Sequence, residues 1–240
     1  PVSAAIVSSA ADAPARHPDP IAVAPMPATD QQARAAPLSR DLLFIYITGF
    51  CSLYGFFVII TWLPYYLQTA RHFSNTGASF LTSLVPWASI PAGIALSYCS
   101  DRLGRRRPFV YVAMPIAAAA LLLTPLINNY VVLVLALICY GFAGKLAVDP
   151  VLIAFVADIS PTHILSTIYG IFNFAGMLSS IIAPVVTGII ADRTGTMNGA
   201  FYLAAGLLVI GATCIWCTHE RPARRRAMSS SSTQPATSRR

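Results

Sequence analysis

The sequence predicts an all-α protein of six membrane-spanning helices, and three observations carry that prediction. Of the 240 residues, 56% are hydrophobic and only 10% are charged, with a mean hydropathy of +0.65. A water-soluble domain of this length needs far more charge to cover its surface. The apolar residues gather into several runs of 18 or more positions without net charge, the length a helix needs to cross a bilayer. The formal charge of +7 stands beside the ends of those runs, where basic residues mark topology. That placement argues against a nucleic-acid partner, and the composition argues against a soluble enzyme; no cofactor and no metal are expected.

Residues 1–40 are rich in Ala, Pro, Ser and Asp, hold seven of the chain's 18 prolines, and show no helical or strand periodicity. They read as a disordered cytoplasmic segment. The chain opens at Pro1 without a visible signal peptide, so it is expected to be processed or to be a piece of something longer. The membrane domain is expected over 41–219. Its first span, about 41–67, has no charge after Asp41, and Gly49, Gly55 and Pro64 can bend it. Its polar groups are hydroxyls, among them Ser52 and Tyr54, and Trp62 with Tyr65 and Tyr66 reads as an aromatic belt or a substrate contact. The second span, about 77–98, is expected to be broken by Pro86 and Pro91. The third, about 108–127, is almost featureless, and Asn128-Asn129 turn the chain back.

The fourth span, from Tyr130 to about Asp158, is the one the others are arranged around. A run of about 28 residues is roughly 42 Å of helix, enough to cross with tilt. Lys145 falls near its middle, where a charge costs roughly 2.5 to 3.5 kcal/mol on insertion scales. Asp149 follows at i+4 on the same face, and Pro150 leaves the carbonyl of Leu146 without its helical donor. The residues allow two readings, a self-neutralised pair inside a bundle or a binding site at the membrane midplane. The fifth span, about 164–191, carries Asn173 with Gly176, Ser179 and Ser180 on one face, and the sixth, about 199–218, is rich in Gly and Ala. Asn173 and Asp149 each lie twelve residues from Pro161 at the turn, so a hydrogen bond between them is expected. The alternative turns Asn173 toward Ser52 or Tyr54. Cysteines 51, 99, 139, 214 and 217 lie within or at the ends of apolar runs and read as small apolar residues. Residues 220–240 read as a disordered basic cytoplasmic tail in which Arg221 to Arg226 serve as an anchor, with contact to anionic lipid a modest extra.

An even number of spans puts both termini on one side. Thirteen of the sixteen basic residues then share that side, and only Arg71 and Arg193 lie opposite. The positive-inside rule makes the crowded side cytoplasmic, with a bacterial inner membrane as the expected location.

At Ser100-Asp-Arg-Leu-Gly-Arg-Arg-Arg-Pro108, between the second and third spans, the sequence resembles the loop signature of the major facilitator superfamily, Gly-x-x-x-Asp-Arg-x-Gly-Arg-Arg/Lys. Asp101, Arg102, Gly104, Arg105 and Arg106 match it, and the leading glycine position holds an apolar or small residue here. Asp158-x-x-Pro161 after the fourth span adds to the match, and the series Gly170-x-x-Asn173-x-x-Gly176, Ala183-Pro184-x-x-x-Gly188 and Asp192-x-Thr-Gly195 looks like the eleventh helix and its following loop in the anion:cation symporter branch. The resemblance covers about 41–219. It implies one six-helix half, the C-terminal one, of a twelve-helix major facilitator fold, because the first span lacks the charges expected of the branch's first helix. Residues 1–40 would then end the loop joining the halves, and the other half, or a second copy, is an implied partner.

The resemblance further implies secondary active transport, not enzymatic catalysis, of a small organic anion such as a carboxylate or sugar acid, with protons as the coupling ion. Lys145, Asp149, Asn173, Tyr54 and Ser52 are the candidate substrate residues. Lys145 would attract the substrate carboxylate, and Asp149 would hold or release Lys145. The loop residues Asp101, Arg102, Gly104, Arg105 and Arg106 would fasten helix ends in the inward-closed state, or act as a positive-inside anchor alone. A transporter of neutral or drug-like substrates, a six-helix scaffold or receptor, and a membrane enzyme using Cys214 and Cys217 are the other classes. The topology is tested by reporter fusions after Asn75, Asn129 and Thr196, all of which should report the periplasm; a single cytoplasmic reporter among them breaks the six-span arrangement.

Overall fold

The computed structural model describes residues 39–127, 129–160 and 162–218. Of the segments expected to be disordered, residues 1–38 of 1–40 and all of 220–240 lie outside these, as do Asn128, Pro161 and His219, whereas Arg40 is already helical. The described residues form α1 (Arg40–Arg71), α2 (Asn75–Leu103), α3 (Arg107–Leu126), α4 (Tyr130–Ala143), α5 (Lys145–Ile159), a 3-10 turn (Thr162–Ile164), α6 (Leu165–Thr194) and α7 (Asn198–Trp216), with no strand among them. Taken together α4 and α5 make the fourth span, so six helical segments are long and apolar enough to cross a membrane.

The ends of these helices follow from local chemistry. Ser74 caps α2 by accepting from the Gly77 N–H at 3.1 Å, and Asn129 caps α4 by accepting from the Val131 N–H at 2.9 Å; an Ncap oxygen satisfies a donor the helix leaves unpaired. Gly104 closes α2 at φ 62°, in the left-handed region where a Cβ is penalised. Prolines do not end helices here. Contrary to the expected break at Pro86 and Pro91, α2 is continuous through both, and α5 is continuous through Pro150. A backbone group in hydrocarbon has no water to turn to, so the chain keeps the remaining helical bonds rather than exposing more groups.

Packing makes α1 the axis of the domain. It lies chiefly against α6 and α7 and also against α2 and α5, while α3 packs on α7 and α4, and α2 packs on α4 and α5. Thr48 in α1 donates to the Gly211 carbonyl of α7 at 3.0 Å, a hydroxyl bond between two packed spans. Tyr66 turns inward instead of joining a belt, its ring 5.1 Å from that of Phe201, whereas Tyr65 is exposed. Between α2 and α4 the contact is backbone to backbone: a Cβ on Gly141 would lie 2.6 Å from the Val85 carbonyl oxygen and 2.7 Å from the Ala88 Cβ. Small residues allow such approach, and in lipid this packing replaces the hydrophobic drive of soluble cores.

Burial is uneven. The most apolar stretch of α1 is 61% buried, but that of α6 is only 22% and that of α2 only 33%. Phe174, Met177, Leu178, Ile181 and Val185 form an open stripe on α6, and Phe80, Trp87, Ile90 and Ile94 form one on α2. Gly141→Leu should destabilise the fold by about 1–3 kcal/mol through overpacking, read as a lower melting temperature of the purified protein. Gly206→Leu is the control, since nothing lies within 4 Å of its added Cβ.

Candidate functional site

The break in the fourth span is made by Gly144. Its N–H bonds the Tyr140 carbonyl, ending α4, and its own carbonyl accepts from the Ala147 and Val148 N–H groups at 3.2 and 3.1 Å, starting α5. A side chain is excluded there, because a Cβ would lie 2.6 Å from the Tyr140 carbonyl oxygen and 3.1 Å from its ring. The break in the span thus falls at Gly144, six residues before Pro150, and Pro150 itself lies inside α5. The consequence of the break is electrostatic. Lys145 becomes the first residue of α5, where the positive end of the helix dipole adds to its own charge. Both favour an anion.

Asp149 provides one, ion-paired to Lys145 across one turn. The two carboxylate and ammonium groups are not equally covered: the Lys145 side chain is 7% exposed and that of Asp149 33%. Phe172 of α6 lies under the ammonium, its ring centroid 5.6 Å from Nζ, a cation–π contact in a desolvated setting. That ring in turn lies on Gly49 of α1, where a Cβ would be 2.8 Å away. Three spans thus converge on one lysine. No other Asp, Glu, Lys or Arg occurs inside a span among the described residues; the remainder stand at helix ends.

The other three candidate substrate residues are arranged differently from the expectation. Asn173 does not hydrogen-bond Asp149, Ser52 or Tyr54, and it is exposed on the open side of α6. Nearer the turn, the Tyr169 hydroxyl donates to the Ile153 carbonyl at 3.0 Å, both eight residues from Pro161. Farther from the turn α5 and α6 touch little, and the Asp149 carboxylate is already taken by Lys145. Tyr54 is buried with its hydroxyl turned to that of Thr187 on α6. Ser52 is buried in α1 and does not bond the lysine or the aspartate.

The loop residues form a second cluster. Arg106 bonds Asp101, Asp158 at 3.2 Å and the Ser100 hydroxyl at 3.2 Å. Burial works to lower the Arg106 guanidinium, but its bonds and charge contacts with Asp101 and Asp158 hold it above its ordinary value. Arg102 stacks 4.9 Å over the Tyr98 ring, Gly104 turns the chain, and Arg105 is exposed. Asp158 is the participant that sequence reasoning used only as a family mark. Its position at the end of the fourth span, level with the arginine loop, was the available signal. All five cysteines are free, with Cys214 half-buried and Cys217 exposed.

Comparison with known proteins agrees with this architecture. The chain is similar to the probable galactarate/D-glucarate transporter GudP of Bacillus subtilis (strain 168), 31% identical over 183 residues, covering 74% of this chain and 39% of that protein. It is 32% identical over 168 residues to the protein of the same name in Escherichia coli (strain K12), covering 68% and 37%. A hexuronate transporter of Bacillus subtilis (strain 168) is 27% identical, covering 73% and 44%. The chain thus spans about two fifths of the length of these relatives. Among solved structures, a POT family transporter in complex with 5-aminolevulinic acid superposes with a TM-score of 0.67 at 16% identity, over 80% of this chain and 44% of that one. The family model described as Major Facilitator Superfamily matches residues 45–238, and the chain, an integral membrane protein, belongs to the major facilitator superfamily.

Proposed function

We propose that this chain is the C-terminal half of a secondary active transporter that carries a small organic anion, a carboxylate or sugar acid, in symport with protons across a bacterial inner membrane. The observation that supports it most is the charge pair at the helix break. Lys145 is a buried cation at a helix start, on an aromatic platform, beside a carboxylate that is one-third exposed. A substrate carboxylate can displace Asp149 from the ammonium, and the freed Asp149 can accept hydrogen bonds from sugar hydroxyls. The sugar-acid transporters among the relatives support this class of cargo. Proton coupling rests on the symporter branch that the sequence motifs resemble. Asn173, on the open side of α6, and Ser52 and Tyr54, buried in α1, are the further residues assigned to the substrate.

The open stripes on α2 and α6 would receive a second six-helix half, from the same polypeptide or a second copy, with the substrate between the halves. The loop cluster would act at the cytoplasmic end, where the Arg106 bonds to Asp101 and Asp158 tie α2, α3 and α5 together, and both termini would be cytoplasmic.

Lys145→Met should lower substrate affinity at least about thirty-fold, because it removes one partner of a desolvated charge pair. The double variant Lys145→Met/Asp149→Asn controls for the stranded carboxylate: like Lys145→Met it should reach near-normal membrane levels and still lack uptake. Uptake retained in the double variant would make the pair structural. Coupling is read separately in proteoliposomes, where an inward proton gradient should drive accumulation and a protonophore abolish it. Asp158→Asn should make a cysteine placed at Ser160 more accessible to a cytoplasmic thiol reagent; unchanged labelling would remove the fastening role.

A further inference from the structure

Four arginines stand in the seven residues Asp101–Arg107, and the ion-pair cluster uses one of them. Arg106 belongs to Asp101 and Asp158. Arg102 and Arg105 are exposed, and neither has a carboxylate partner among the described residues. The backbone that carries them is nevertheless held in place. Ser100 is fully buried, and its hydroxyl donates to the Arg105 carbonyl at 3.2 Å while accepting from Arg106 Nη1. The Gly104 N–H closes on the Asp101 carbonyl at 3.2 Å. Two guanidinium groups three residues apart are therefore presented from a fixed turn.

Their depth is marked by aromatic rings. Arg102 lies over Tyr98, and Arg107 lies 5.0 Å over Trp216 while donating to the Trp216 carbonyl. Tyr111 packs on the same Trp216 ring at 4.6 Å. Tyr98 and Trp216 are each more than half exposed at the ends of apolar spans, the position of rings that sit at headgroup level. Below Arg107 on α3, Tyr111, Val112 and Ile116 form an exposed apolar strip. Guanidinium donors over a pinned loop match phosphate oxygens bidentately, and the strip beneath suits an acyl chain better than it suits a free ion in water.

We propose that the Asp101–Arg107 loop is a binding site for an anionic phospholipid, its phosphodiester taken by Arg102 and Arg105 and its acyl chain laid along the Tyr111–Ile116 side of α3. The positive-inside rule by itself needs only charge on this side. A site needs these two arginines, and that difference is measurable. Native mass spectrometry of the purified protein in detergent should retain phosphatidylglycerol in preference to phosphatidylcholine, and excess inorganic phosphate should not displace it. Arg102→Gln and Arg105→Gln should each weaken retention roughly five-fold, and the Arg102→Lys/Arg105→Lys variant, which keeps the charge but loses the bidentate fork, should also weaken it. Arg224→Gln/Arg225→Gln/Arg226→Gln in the tail should leave retention unchanged. Equal retention of both lipids, undiminished retention in the glutamine variants, or loss on changing only the tail would overturn the site. Displacement by inorganic phosphate would make it a soluble-phosphate site and overturn the lipid assignment.

Discussion

A charge inside hydrocarbon must have a partner, and the arrangement of the fourth span answers to that constraint. Lys145 could not stand in an unbroken helix between apolar neighbours without a partner or water. Here it has a carboxylate one turn on, an aromatic face from α6, and a place at a helix start created by a glycine that alone fits against Tyr140. The start of α5 would favour an anion even without the lysine, so the two effects add. The carboxylate that answers them is the more exposed member of the pair, which leaves it open to exchange with an incoming anion.

The same helix carries the second ion-pair station. Asp149 near the start of α5 and Asp158 near its end hold, respectively, the buried lysine and the loop arginine. Between them the helix is lined by the buried Val151, Leu152, Phe155 and Val156, and it passes through Pro150 without a break. The fifteen-residue element is tied by charge to the arginine loop at one end, carries its own ion pair at the other, and is packed by apolar side chains between. Its sparse contact with α6 beyond the turn contrasts with the extensive contact of α1 with α6 and α7. The buried lysine thus lies beside the helix whose apolar stretch is the least buried.

Much of the architecture was legible because membrane constraints are written in long, simple patterns. Apolar length, charge asymmetry and the Asp101–Arg107 signature needed no tertiary information, and they specify the spans, the hairpin turns and the family. The glycine of that signature is legible too, since its left-handed conformation is what a residue after α2 must adopt for the chain to turn into α3. Prolines misled: Pro86 and Pro91 are breakers by soluble rules, yet lipid offers the freed groups nothing better than the helix they are in.

The sequence by itself determined six spans, a basic loop and one charge pair at i, i+4, because hydropathy, charge and helical period are local properties of the chain. It could not show that the break falls at Gly144, that Phe172 and Gly49 complete the lysine's surroundings, that Asn173 stays unbonded, or that Asp158 joins Arg106. Each of these depends on which side chain a neighbouring helix brings to the same depth and azimuth. A shift of a few ångströms or a rotation of one residue, about 100° around a helix, decides it. Only the packed bundle sets those two variables.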